Sequence, residues 1–117
     1  MARVELYGIK ACDTMKKARA WLQARDIDYA FHDYKVEGVD RARLQAWVER
    51  LGWETVLNRS GTTFRKLDEA RRQDLDVAKA VELMLAQPSM IKRPIAQAGA
   101  TLLAGFHPET YARAFAS

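Results

Sequence analysis

Polar and apolar positions alternate at the start of the chain. Val4 and Leu6 fall on one face and Glu5 and Tyr7 on the other, which predicts a short strand over 3–7. Gly8 breaks it. From Thr14 the period changes. Met15, Ala18, Trp21 and Leu22 stand at i, i+3, i+6 and i+7, the stripe of an amphipathic helix running from about Cys12 or Asp13 to Arg25. Asp13 or Thr14 is placed to accept the free amides of its first turn. Asp26-Ile27-Asp28 turns the chain, and the aromatic-rich run Tyr29 to Tyr34 reads as a second strand. Strand, helix and strand in about thirty residues form a βαβ unit, which calls for parallel strands and a right-handed crossover.

Lys35 to Val39 is a polar connection. Asp40 is placed to cap a helix with Leu44, Trp47, Val48 and Leu51 on one face, and Gly52 stands where a glycine ends it. Val56 to Thr63 is loop-like, and Phe64 to Leu67 suits a helical turn. Val77 to Leu85 is amphipathic, with Asp74 or Asp76 near its start and Gln87-Pro88 as its stop. Ile95-Ala96-Gln97 and Thr101 to Ala104, separated by Gly99, carry a hairpin signal. Pro108 suits the first position of a last helix over Glu109 to Ala116. The element order is therefore βαβ, then helices, then ββα.

Composition narrows the function classes. The chain has 117 residues, 49% hydrophobic and 29% charged, enough for one globular domain without staples. Its single cysteine excludes an internal disulfide and a cysteine-based zinc site. His32 and His107 are too few and too scattered for a metal cluster, so no metal site is expected; a partly buried structural role suits His32, and a helix cap suits His107. No apolar run approaches the ~20 residues that cross a bilayer, and Met1 to Glu5 lacks the stretch of a signal peptide. The expectation is a reduced, cytoplasmic compartment, where a free thiol persists. The net charge of +4 is spread among acids, as in Asp40-Arg41-Ala42-Arg43, which speaks for solvated faces and against direct nucleic-acid binding.

Cys12 is the candidate for chemistry. A lone cysteine is more often a small buried hydrophobe. This one stands at a strand-to-helix bend and off the apolar stripe, where unpaired amides and the positive end of a helix dipole favour a thiolate. Lys10 and Lys16 add positive charge, and Asp13 opposes them. Met15 occupies the place of the second thiol in a C-x-x-C pair, so any adduct must be resolved by an external thiol. Arg59, Arg65 and Arg93, in or beside loop-like segments, are candidates to hold an anionic electrophile. Asn58, Thr62 and Thr63 serve equally as ligand donors or as turn residues.

Four stretches carry a resemblance: Tyr7-Gly8-Ile9-Lys10-Ala11-Cys12-Asp13-Thr14 with Lys16-Lys17-Ala18, Phe31-His32-Asp33-Tyr34, Gly61 to Leu67, and Pro88 to Ile95. Together they resemble the ArsC/Spx/YffB family of arsenate reductase-like proteins, closest to its YffB-like branch. The resemblance implies an α/β, thioredoxin-like fold with a mixed four-stranded sheet. Its core would span 1–35 and 89–117, with a helical insertion over 36–88. It implies Cys12 as the nucleophile, Arg93 as the oxyanion-binding arginine, and Pro94 as a cis-proline facing the cysteine. The loop arginine is Arg59 or Arg65, since Asn58-Arg59-Ser60-Gly61 departs from the branch's usual order. Ala100 to Gly105 contains no arginine to match the third one of arsenate reductases. That departure leans away from arsenate and towards thiol reduction with glutathione as cosubstrate, no bound cofactor, and glutathione or a glutaredoxin as partner. The alternative implied by the Spx side of the family is a non-enzymatic regulator that binds the RNA polymerase α subunit.

Overall fold

The computed structural model describes residues 3–115. Met1, Ala2 and Ala116 of the expected terminal segments lie outside the described residues. The chain forms two compact units, one made of residues up to Glu37 and from Arg93 onward, the other of Gly38–Lys92.

In the first unit, β1 (Val4–Gly8) leads to α1 (Asp13–Ala24), β2 (Tyr29–Asp33) and a four-residue helix, α2 (Tyr34–Glu37). β1 and β2 are parallel, from Val4 opposite Tyr29 to Gly8 opposite Asp33. The expected strand residue Tyr34 instead opens α2, which also takes up most of the expected polar connection. The reason is local: the Asp33 carboxylate accepts the Lys35 amide at 2.8 Å and closes a helical turn directly after the strand. α1 stops one residue short of Arg25 because Asp26 takes a left-handed φ of 54°. Its expected caps, Asp13 and Thr14, are also displaced. Cys12 itself is the N-cap, in extended conformation and with no side-chain cap bond, so Asp13 is already the first helical residue.

The second unit is helical. α3 (Arg41–Leu51) is capped by Asp40, which accepts the Arg43 amide at 2.9 Å, and is ended by Gly52 at φ 88°, a conformation that suits glycine. α4 (Trp53–Val56) and α5 (Thr62–Arg65) flank the expected loop and take only Val56, Thr62 and Thr63 of it, leaving residues 57–61 non-helical. α6 (Glu69–Arg72) was not foreshadowed by any apolar period; Asp68 closes it by accepting the Arg71 amide at 2.9 Å. α7 (Val77–Ala86) is capped by Asp76, and a 3-10 turn follows at Pro88–Met90. Leu44, Trp47, Val56, Met84, Met90 and Ile91 fill the core of this unit. Residues 89–92, which the sequence assigns to the outer halves, stay with the helices. The Lys92 amide donates to Val56 at 2.7 Å, and Leu57 bridges Ile91.

The first unit resumes with β3 (Ile95–Ala98), β4 (Thr101–Ala104) and α8 (Pro108–Phe115). β3 is antiparallel to β1 and β4 to β3, which gives the order β2-β1-β3-β4. With its βαβ and ββα halves this is a thioredoxin-like fold. Val4, Leu6 and Ala96 from the sheet, Met15, Ala18, Trp21 and Leu22 from α1, and Tyr111 and Phe115 from α8 form one core. Tyr111 meets Trp21, Phe106 and Phe115 edge-on at centroid distances of 5.7, 4.9 and 5.3 Å. Such pairs contribute about 0.5–1.5 kcal/mol each beyond burial. Among the described residues no helix is long and apolar enough to cross a membrane.

Candidate functional site

Cys12 is delivered by the loop between β1 and α1. The loop is short because β1 runs straight into it, and Gly8 lets it pass close to Met15. A Cβ at position 8 would lie 2.8 Å from the Met15 Cε and 3.1 Å from its Cγ. Met15 is fully buried. The position that a second cysteine would hold is thus filled by a core side chain. Cys12 is half-buried and packs against the core of its unit. Its amide donates to the Ile9 carbonyl at 3.3 Å, and its carbonyl accepts the Lys16 amide at 3.0 Å. Cys12 thus stands at the N-terminus of α1, where the first-turn amides have no partner within the helix. Lys10 and Lys16 are exposed.

Asp33, at the end of β2, ties this loop down. One carboxylate oxygen accepts the Lys10 amide at 3.4 Å and the other the Lys35 amide at 2.8 Å. Sequence reasoning placed Asp33 inside a strand and missed this role. The available signal was an acidic residue directly before a change of pattern.

Arg93 is half-buried and Pro94 buried, and the bond between them is cis. Ile95 pairs with Tyr7, and the Gly105 amide donates to the Pro94 carbonyl at 2.8 Å. Because β3 is antiparallel to β1, its start lies beside the end of β1. Cys12, Asp33, Tyr34, Arg93 and Pro94 therefore share one end of the sheet. Arg93 lies near enough for its charge to act on the Tyr34 hydroxyl.

His32 sits on the same strand pair and is held structurally. Its ring stacks on Tyr7 at 4.6 Å. Nδ1 lies 3.0 Å from Glu37 and Nε2 3.0 Å from Glu5, so the imidazolium form donates to two carboxylates. Partial burial works against the charged ring, but the hydrogen bonds and charges of Glu37 and Glu5 outweigh it and raise the pKa above 6.5. Glu5 is correspondingly lowered: desolvation opposes, and Arg3 and His32 prevail. His107 is exposed and its carbonyl accepts the Tyr111 amide at 3.0 Å, a helix-start role.

Arg59, Thr62, Thr63 and Arg65 belong to the second unit. The Arg59 guanidinium lies over the Trp53 ring, 5.6 Å from its centroid. Thr62, Thr63 and Arg65 share α5. Thr62 and Arg65 are exposed, while the half-buried Thr63 hydroxyl is 2.9 Å from that of Ser89. Among the described residues no group of three or more His, Cys, Asp or Glu side chains could hold a metal ion.

Comparison with known proteins gives a consistent result. The ArsC family model matches residues 7–114. A protein of Haemophilus influenzae is 40% identical over 113 residues, 97% of this chain and 99% of its own length. The global transcriptional regulator Spx of Streptococcus pyogenes is 28% identical over 116 residues, 97% of this chain and 85% of Spx. Among solved structures, a YffB protein is 63% identical with a TM-score of 0.93, covering 96% of this chain and 98% of that one. An arsenate reductase (ArsC) related protein from Brucella melitensis is 55% identical with a TM-score of 0.78, covering 95% and 92%.

Proposed function

The chain belongs to the ArsC family, and we propose that within it this protein is a thiol-dependent reductase whose nucleophile is Cys12. The observation that carries the reading is the place of the only cysteine. It forms the N-cap of α1 at the end of the sheet where Arg93-Pro94 leads into β3. The free amides at the start of α1 suit an anionic ligand at that end of the sheet.

The reaction is a thiol–disulfide exchange. The Cys12 thiolate attacks the glutathione sulfur of a mixed disulfide, the substrate leaves as its thiolate and takes up a proton, and Cys12 becomes glutathionylated. A second glutathione thiolate attacks that adduct, which releases oxidised glutathione and returns Cys12 as thiolate. The substrate sulfur is thereby reduced to a thiol, the one incoming glutathione thiol is oxidised into the glutathione disulfide, and the number of disulfide bonds is unchanged. Since Met15 is core and no second cysteine exists, the resolving thiol comes from solution or from a glutaredoxin.

The test is turnover of a glutathione mixed disulfide in the presence of reduced glutathione. The native protein is expected to accelerate it, and Cys12→Ser to abolish the acceleration. A native protein that leaves the uncatalysed rate unchanged defeats the reading. A second reading is carried by the likeness to Spx over 97% of the chain: a non-enzymatic regulator, for which the Spx resemblance implies the RNA polymerase α subunit as partner. Retention of polymerase by a protein without thiol turnover would favour it.

A further inference from the structure

Tyr34 holds a polar atom that the fold leaves unsatisfied. Among the described residues, its hydroxyl is the buried side-chain oxygen or nitrogen with no hydrogen-bond partner. The residue is 3% exposed. Phenylalanine fills nearly the same volume without this defect, so packing does not account for the oxygen. Burial pushes the phenol far above its ordinary range, against the opposing charge of Arg93, so the group is a permanent O–H donor.

Its position supplies the missing partner. Tyr34 directly follows Asp33, whose carboxylate ties down the Cys12 loop. Tyr34, the Arg93 side chain that acts on it and the Cys12 helix start lie at the same end of the sheet. The Tyr34 hydroxyl has no acceptor within the fold and lies where the Arg93 charge acts on it, so a negatively charged oxygen suits it. We propose that Tyr34 is a specificity-determining residue of the Cys12 site, its hydroxyl donating a hydrogen bond to an anionic oxygen of the ligand that Arg93 attracts. The oxygen is sealed from solvent, so contact with a ligand requires the side-chain atoms that cover it to move. The choice of glutathione as a probe rests on the reductase reading; the anion contact does not.

The experiment uses the full chain carrying Cys12→Ser, which cannot form an adduct, with and without Tyr34→Phe. Reduced glutathione, whose oxygens are carboxylates, and arsenate, an inorganic oxyanion, are titrated separately by NMR. Tyr34→Phe is expected to weaken one of the two about tenfold, equivalent to ~1.4 kcal/mol, and to leave the melting temperature unchanged or higher. Weakening of glutathione alone identifies a carboxylate, and weakening of arsenate alone an inorganic oxyanion. Equal affinities with and without the hydroxyl overturn the proposal, as does the absence of binding of both anions. A melting temperature lowered by Tyr34→Phe overturns it too, since the hydroxyl would then have a partner within the fold. Turnover by the native protein, measured separately, tells failure of this contact from failure of the reductase reading.

Discussion

Gly8→Ala tests the junction that presents Cys12. The new Cβ would stand 2.8 Å from the Met15 Cε and 3.1 Å from its Cγ, with the thioether sulfur closer still. Free space or solvent would let a methionine yield cheaply, but Met15 is fully buried and packs in the core with Leu6, Ala18 and Leu22. Overpacking of this kind costs about 1–3 kcal/mol. Alanine also restricts the unfolded chain, which offsets about 0.4–1 kcal/mol. Gly8 is not among the positive-φ residues, so no backbone strain adds to the sum. A net loss of about 1–2 kcal/mol follows, a fall in melting temperature of ~4–8 °C for a chain of this size. Thermal unfolding by circular dichroism reads it. In a Met15→Ala background the same substitution should cost little, because the atoms it strikes are gone, with a coupling of about 1 kcal/mol or more. An unchanged melting temperature in the single variant, or an equal loss in both backgrounds, refutes the close-approach argument.

Two further predictions concern the ties around the site. Asp33→Ala should destabilise by about 1 kcal/mol through loss of the acceptors for the Lys10 and Lys35 amides, whereas Asp33→Asn, whose single carbonyl oxygen can keep the shorter Lys35 bond, should lose less than half of that in urea unfolding; equal losses would show that the Lys35 bond does not carry the effect. The raised pKa of His32 means that its contribution is fully present below 6.5 and fades as pH rises through the folded value. The lowered carboxyl of Glu5 contributes above 4.5 and fades as pH falls. The native protein should therefore exceed His32→Gln in stability by more at about pH 5.5 than at about pH 8.5. A difference that is flat with pH would remove the doubly bonded imidazolium from the account.

Features written in nearby residues were legible before the fold was known. Asp40 and Gly52 bracket a helix whose apolar stripe repeats between them, and the structure closes both ends with those residues. Cys12 stood out because it is unique and falls where period two becomes helical. The short helices were hidden for the opposite reason. α2 and α6 are four residues long, too short to show a period, and hang on side-chain acceptors, Asp33 and Asp68. The hairpin of β3 and β4 was readable, but not that β3 lies against β1 on the side away from β2, since that pairing joins Tyr7 to Ile95 across the whole middle of the chain. Tyr34 illustrates the same limit at the site. It was read as one more strand aromatic, and only the folded chain buries its hydroxyl beside the Arg93 charge. For Arg59, the Trp53 ring beneath it lay six positions away across a stretch read as loop.

The central claim is that the fold makes Cys12 a nucleophile and does not merely store it. The most direct measurement compares one cysteine with itself: the rate at which oxidised glutathione forms a mixed disulfide with the native chain, by intact mass at neutral pH, against the rate for the same chain unfolded in urea. Activation at the start of α1 predicts a native rate at least about tenfold above the unfolded one, and an adduct that reduced glutathione removes. A native rate equal to or below that of the unfolded chain would show a sheltered thiol and contradict the account.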